Sequence, residues 1–417
     1  MSVVKAFKAV RPAPALADKV AALPYDVMNS EEARQMVAGN PYSFLHVDKA
    51  EIDLDPAIDL YDVRVYEKAR DTLNQMIKDQ VFIQDDTACL YIYKQVMDGR
   101  AQIGIVGCTS IDEYMNNIIK KHELTRADKE QDRINHVDYC DANTGPIFLT
   151  YRAKDSIDIL VNGVMQSQTP VYDFVSEDGI GHTVWVIDDQ RIIDRLCAEF
   201  AGVDYLYIAD GHHRSASAVR VGAKRRQQAG SYTGAEEFNY FLSVIFPDNQ
   251  LYIMDYNRIV KDLNGNSKET FLEKVEECFA ITPYAAEGVL KPSKKHTYGM
   301  YLDGKWYLLE AKEGTYDAAD PVAQLDVSIL QNNLLYPILG IEDPRTDKRI
   351  DFVGGIRGLQ CLADRVDNGS MAVAFSMFPT TMDDLMDIAD AGAIMPPKST
   401  WFEPKLRSGL FIHKLTD

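Results

Sequence analysis

The sequence predicts an α+β protein of mixed, largely antiparallel sheets with helices, and three hairpin signals carry that prediction. In ACLYIYKQVMDGRAQIGIVGCTSI (88–111) two alternating, β-rich runs flank Asp98-Gly99, a pair that tolerates the positive φ of a tight hairpin turn. Asp303-Gly304 divides HTYGMYLDGKWYLLEA (296–311) in the same way, and PVYDFVSEDGIGHTVWVID (170–188) reads as another hairpin. Hairpins join antiparallel neighbours, whereas a doubly wound parallel sheet needs a helical crossover between strands.

The other elements follow in chain order. SVVKAFKAVRPAP (2–14) is a short strand ending in prolines. ALPYDVMNSEEARQMVAG (22–39) is a turn leading into a helix, with Asn29 as N-cap, Glu32 three residues on, and Gly39-Asn40-Pro41 as the stop. Apolar residues recur at helical spacing through 57–80. VDYLYIADGHHRSASAVRV (203–221) reads as strand, turn, helix. FNYFLSVIF (238–246) and LYIMDYNRIV (251–260) read as adjacent strands, and KETFLEKVEECFA (268–280) as a helix. The tail offers a strand at 372–378, a helix at 381–392 stopped by Gly392, and a closing strand at 409–415. The interruption QQAGSYTG (227–234) sets the expected boundary between an N-terminal region 1–235 and a C-terminal region 236–417.

A length of 417 residues makes two domains the natural expectation, and 46% hydrophobic with 26% charged residues is an ordinary globular balance. The net charge of -19 supplies no broad positive field, which disfavours nucleic acid and anionic membrane as partners. Six cysteines stand singly, no CxxC pair occurs, and neither a signal-like segment nor a membrane-length apolar run is seen, so a reducing, cytoplasmic setting is expected.

Against that negative background, YIADGHHRSASAV puts His212, His213 and Arg214 at the mouth of a helix, where unpaired N–H groups favour phosphate or carboxylate. As a mere cap, Asp210 would explain one of four consecutive polar residues. Beside an anion, its carboxylate is suited either to holding a divalent cation or to handling the proton of an incoming hydroxyl. HExxH is absent and adjacent histidines project apart, so zinc is not expected here. KKHELTRADKEQDRINH (120–136) reads as a solvated charged helix or as a mobile basic lid, with His122, Glu123, Lys129 and Arg133 as substrate contacts. IMPPKSTWFEPKLRSGL (394–410) offers Lys398, Ser399, Thr400 and Lys405 within a Pro/Trp/Phe frame, without the glycines of a P-loop. In LPYDV, Asp26 sits in a proline-bounded turn ahead of a helix, where a base could be held rigidly.

LPYDV, KHELTRADKEQDR with NTGPIF, YIADGHHRSASA and MPPKSTWFEPKLRSGL together resemble, in order and spacing and over essentially the whole chain, the bacterial and archaeal family catalogued as domain of unknown function 1015. The DGHHR element is also similar to the signature of the ParB/sulfiredoxin superfamily, which includes partition proteins, sulfiredoxins and free-serine kinases. That resemblance implies a ParB/sulfiredoxin-like core with an additional α+β domain, and phosphate handling at this turn. His212 and His213 stand where a sulfiredoxin's cysteine would be expected, and no basic stripe accompanies them, so a small-molecule kinase is the nearest analogue. By that analogy Asp26 is the base, Asp210 orients the hydroxyl or holds Mg²⁺, and His212, His213 and Arg214 grip the phosphoryl group. Lys398, Ser399, Thr400 and Lys405 are assigned to the donor's phosphates on chemistry alone.

The expectation is a phosphotransferase with two small-molecule partners. It moves a phosphoryl group from ATP, ADP or pyrophosphate to a metabolite hydroxyl, free L-serine foremost, with Mg²⁺ as cofactor. A non-catalytic sensor of a nucleotide or phosphometabolite and a phosphate-ester hydrolase are the alternatives. The oligomeric state is left open.

Overall fold

The three hairpins close as their turn residues dictate in the computed structural model, which describes residues 2–416. Asp98 and Gly99 take φ of 50° and 78° and join Leu90–Met97 to Arg100–Ser110, with Met97 opposite Arg100. Asp303 and Gly304, at 50° and 75°, join Thr297–Leu302 to Lys305–Ala311. Tyr172–Val175 and Gly181–Ile187 form the remaining hairpin. Helices occupy the intervals, so the protein is α+β.

Two compact units result: one runs to Leu251 and resumes with the C-terminal segment from Pro404, and the other is Tyr252–Glu403. The boundary expected after residue 235 falls inside the first unit. The reason is the strand Tyr240–Pro247, which pairs antiparallel with Arg100–Ser110 and parallel with Ile147–Tyr151. It is therefore not the sheet neighbour of Tyr256–Val260, contrary to the reading of 238–260 as adjacent strands. QQAGSYTG is a loop within one unit, and its composition marks a turn rather than a domain border.

In the first unit's main sheet the strand order is Ile119–Lys120, Leu206–Asp210, Ile147–Tyr151, Tyr240–Pro247, Arg100–Ser110, Leu90–Met97, Gly181–Ile187 and Tyr172–Val175, with Val4–Lys5 added to Arg100–Ser110. Leu206–Asp210 runs parallel to Ile119–Lys120 and antiparallel to Ile147–Tyr151, so the sheet is mixed. One core gathers Leu90, Ile105, Leu149, Ile208 and Phe241 with Ile157, Leu196 and Phe200 from two covering helices. A second core joins Val20, Phe44 and Val47 to Val65, Ala69 and Leu73 of the helix Val63–Lys78. Each fully buried side chain of this kind contributes about 1.5–3 kcal/mol of transfer free energy. The helix Ser30–Met36 begins with the expected capping box, the Asn29 side chain accepting from the Glu32 N–H and the Glu32 side chain from the Asn29 N–H.

The C-terminal segment is built into this unit. Ser408 exchanges backbone hydrogen bonds with Ala22, and Ile412 with Val10, while His413–Lys414 pairs with Ala142–Asn143. Arg407 pairs with Asp178. The strand expected at 409–415 thus shrinks to one short pairing and a bridge, because the segment threads between elements instead of joining the main sheet.

The second unit holds an antiparallel six-stranded sheet in the order Phe279–Pro283, Lys305–Ala311, Thr297–Leu302, Val373–Met377, Tyr256–Val260, Ile350–Gly354. The helices Lys268–Cys278 and Met382–Asp390 form where the sequence places them. Among the described residues no helix is long and apolar enough to cross a membrane.

The long helix His212–Ala229 is held close to its neighbours by a glycine. An alanine inside a helix ordinarily stabilises by about 1 kcal/mol relative to glycine. At Gly222, however, a Cβ would overlap the Phe238 carbonyl oxygen and lie 2.8 Å from Ile111 Cδ1. Gly222→Ala is therefore expected to lower stability by about 1–3 kcal/mol in urea unfolding, and a stabilised variant would contradict this packing.

Candidate anion-binding site

The site is organised by the turn between Leu206–Asp210 and His212–Ala229. Ile208 faces Leu149 and Asp210 faces Phe148, so the register slips at Ala209. Such a bulge bends the strand and re-aims the side chain that follows it. Gly211 then takes φ of 95°, a value that glycine adopts without the Cβ penalty. As N-cap it brings no side-chain hydrogen bond to the helix. The first-turn N–H groups thus remain available to an external acceptor, at the positive end of an 18-residue helix. The strand, turn and helix read from the sequence are all present.

Arg214 folds back over this turn and is the centre of the charge arrangement. Its Nη1 donates to the Pro146 carbonyl at 2.5 Å, its Nη2 lies 3.8 Å from an Asp210 oxygen, and its buried Nε has no hydrogen-bond partner. Burial works against the guanidinium charge, but Asp26 first, then Asp210, Tyr25 and Asp48 outweigh it and raise its pKa. Asp26 is exposed, in the turn Tyr25–Val27, and its field also reaches His213. Burial lowers the His213 pKa, so the ring is neutral, and its Nε2 accepts from the Arg126 N–H at 3.0 Å. The charge of Asp26 thereby acts on both His213 and Arg214 from a position far away in the chain.

Behind Arg214 lies a narrow cavity lined by Tyr25, Asp48, Arg133, His136, Thr144 and Arg214, with room for little more than a water molecule. The Arg133 guanidinium lies 4.0 Å from the centre of the Tyr25 ring and pairs with Asp132 at 2.9 Å. Thr144 donates to buried Asp48 at 2.9 Å, and His136 Nε2 is 3.6 Å from the same carboxylate. Burial pushes the Asp48 pKa up, toward its neutral form, against the hydrogen bonds of Ser408 and Thr144. Sequence reasoning does not single out Tyr25, Asp48 or His136. Tyr25 is signalled by its place beside Asp26, but nothing in HVDKA marks Asp48.

Asp210 is neutralised by two cations. Lys405 donates to its Oδ2 at 2.9 Å, across 195 positions, and Arg214 is the second. Burial would raise its pKa, but Lys405 and Arg214 overcome that and hold it far below the usual carboxylate range. Lys405 is therefore a partner of Asp210 rather than a free ammonium for a donor phosphate. The same geometry does not fit Asp210 as a Mg²⁺ ligand, because an ammonium and a guanidinium occupy the space and charge that a divalent cation needs.

Most of the segment 120–136 is packed helix rather than a free loop. Ala127–Cys140 is a helix packed against both Val63–Lys78 and His212–Ala229, with Asp132, Arg133 and His136 buried. Lys129 donates to the Tyr61 hydroxyl at 2.9 Å. His122 is buried with its Nε2 3.3 Å from His212 Nε2, and Glu123 is exposed beside it. The charged pattern reads as solvated because partners such as Asp48 for His136 and Arg220 for Glu130 lie far away in sequence.

Lys398, Ser399 and Thr400 belong to the second unit. Lys398 is exposed at φ of 59°, and its ammonium lies 5.6 Å from the Tyr256 ring centre. The buried Ser399 hydroxyl donates to the Pro396 carbonyl at 2.6 Å, so its proton is spent within its own turn. Arg258 Nη2 donates to the Lys398 carbonyl at 2.9 Å and Thr380 Oγ1 to the Ser399 carbonyl at 2.8 Å, and the donor-phosphate assignment that the composition suggests finds no support in these contacts.

The Asp210–Lys405 pair makes a pH prediction. A carboxylate whose folded pKa is depressed contributes stability above its unfolded value near 3.9, and loses it as pH falls through the folded value. In a double-mutant cycle of Asp210→Asn and Lys405→Met, a coupling of about 1–3 kcal/mol is expected. It should be the same at pH 7 and pH 5, declining only in more acid solution. A coupling that vanishes by pH 5 would contradict the assignment.

Distant likeness is found among solved structures. A conserved hypothetical protein from Pyrococcus furiosus is 14% identical, with 74% of this chain and 94% of that chain covered at a TM-score of 0.36. A free serine kinase variant in complex with AMP is 13% identical, with 74% and 92% covered at 0.36. SbnI from Staphylococcus aureus, truncated at its C-terminus, is 12% identical, with 73% and 85% covered at 0.37. Likeness this distant fixes neither substrate nor reaction. No curated protein matches the chain in sequence. Residues 4–328 match the family model described as a protein of unknown function, DUF1015, and the chain belongs to that family.

Proposed function

We propose that the protein is a phosphotransferase that moves a phosphoryl group from ATP, ADP or pyrophosphate to the hydroxyl of a small metabolite, with free L-serine as the leading acceptor. One observation carries the reading: Asp26, an exposed carboxylate, is the group that most strongly raises the pKa of Arg214, which lies over a helix N-terminus without a side-chain cap. An anion cradle with an acid at its edge is what hydroxyl phosphorylation needs. Phosphoryl transfer asks for positioning, charge neutralisation and one base, and little covalent chemistry.

In this reading the helix N–H groups, Arg214 and neutral His213 hold the non-bridging oxygens of the group in transit. The acceptor oxygen forms the new P–O bond as the bond to the leaving phosphate breaks, and the acceptor proton passes to Asp26. Asp210, fixed by Lys405, holds Arg214 in place rather than touching the substrate. The resemblance of the DGHHR turn to free-serine kinases agrees with this division of labour and points to serine as the first acceptor to try. The sensor and hydrolase readings would use the same cradle, but neither requires a base that activates a metabolite hydroxyl.

The test is incubation of the full chain and Mg²⁺ with L-serine and each donor in turn, followed by phosphorus NMR. Phosphoserine formation is the expected result. Asp26→Asn, at an exposed position, should cut turnover at least about 100-fold while leaving donor affinity within about twofold. Release of inorganic phosphate without a phosphorylated product would mean hydrolysis instead, and donor binding without turnover of any kind would mean sensing.

A further inference from the structure

His122 and His212, 90 positions apart, turn their Nε2 atoms toward each other at 3.3 Å within the first unit, and both rings are buried. Two histidines placed so closely need a reason. A hydrogen bond between them is one, but N–H···N bonds favour a straight approach. These rings are perpendicular with centroids only 4.5 Å apart, so they meet at an angle rather than end to end. The buried Nδ1 of His122 has no hydrogen-bond partner, which leaves the imidazole held by a single contact to another nitrogen.

A third donor completes the group. A Glu123 carboxylate oxygen and one ring nitrogen from each histidine all lie within 4.8 Å of one another. We propose that His122, His212 and Glu123 bind a divalent transition-metal ion of the zinc class, with one further position for water or a phosphate oxygen. The nitrogen separation suits this. A tetrahedral ion with bonds of about 2.0–2.1 Å sets neighbouring ligand atoms about 3.3–3.4 Å apart. Two imidazoles and one carboxylate exclude Mg²⁺ and Ca²⁺, which take oxygen donors, and match the ligand sets of catalytic zinc and related ions. Exposed Glu123 gives the ion a route in from solvent.

This site does not depend on the phosphoryl-transfer reading, and its test reads metal binding alone. The untagged full chain is stripped with a chelator and titrated with Co²⁺ as a visible probe, then with Zn²⁺. One Co²⁺ per chain is expected, with the intense absorption of a tetrahedral ion, displaced by Zn²⁺ and accompanied by a rise in Tm. His122→Ala and His212→Ala should each weaken Co²⁺ binding at least about 100-fold, and Glu123→Gln about 10-fold. Should the histidine variants fail to fold, Glu123→Gln decides alone because its position is exposed. Less than half an ion per chain at micromolar Co²⁺, binding that survives both histidine variants, or an affinity unchanged in Glu123→Gln would overturn the proposal.

Discussion

A carboxylate at the start of a helix is tolerable in a half-buried turn only if something carries its charge, and for Asp210 that is Lys405 at 2.9 Å. The consequences run through the first unit. Because the ammonium comes from the C-terminal segment, the chain must return from Glu403 to the first unit before the turn is complete. That return is fixed by Ser408 on Ala22, Ile412 on Val10 and Arg407 on Asp178. With Asp210 neutralised, Arg214 can lie across Gly211, where a side chain larger than hydrogen would meet its guanidinium at 3.2 Å. The placement of Arg214 over this turn therefore rests on an ion pair whose members are 195 residues apart.

What can be read from the sequence is what is encoded locally. The Asn29–Glu32 capping box and the Asp98-Gly99 and Asp303-Gly304 hairpins each depend on residues within a few positions of one another, and all form. The strand-glycine-helix geometry at 206–229 is legible for the same reason. The boundary at 235 fails because a Gly/Ser/Thr-rich loop looks alike inside a domain and between domains. Only the pairing of Tyr240–Pro247 with two distant strands decides it.

The site is legible in its residue types and much less in its pairings. Arg133 reads as a surface lid residue, yet its charge is buried against Asp132 and the Tyr25 ring. Lys405 reads as a phosphate ligand, yet it belongs to Asp210. The case against zinc sets His212 beside its neighbour His213, whereas His212 meets His122 and His213 turns to Arg126. Helical geometry sends adjacent side chains in different directions. That rule is correct, and it leaves each histidine with a partner that only the fold can supply.

A net charge of -19 does not by itself decide what an anion meets at one turn. At physiological ionic strength charges beyond about 8 Å are largely screened, so an incoming anion responds to the groups nearest it. Among these, Lys405 cancels Asp210 and Arg133 cancels Asp132, while burial moves Asp48 toward neutrality. What remains is Arg214, the open helix N-terminus and Asp26. In the resting site Asp26 opposes an anion and partly occupies the field of Arg214. Asp26 is the carboxylate that acts most strongly on the Arg214 charge, so replacing it by a neutral group would leave more of that charge for an anion.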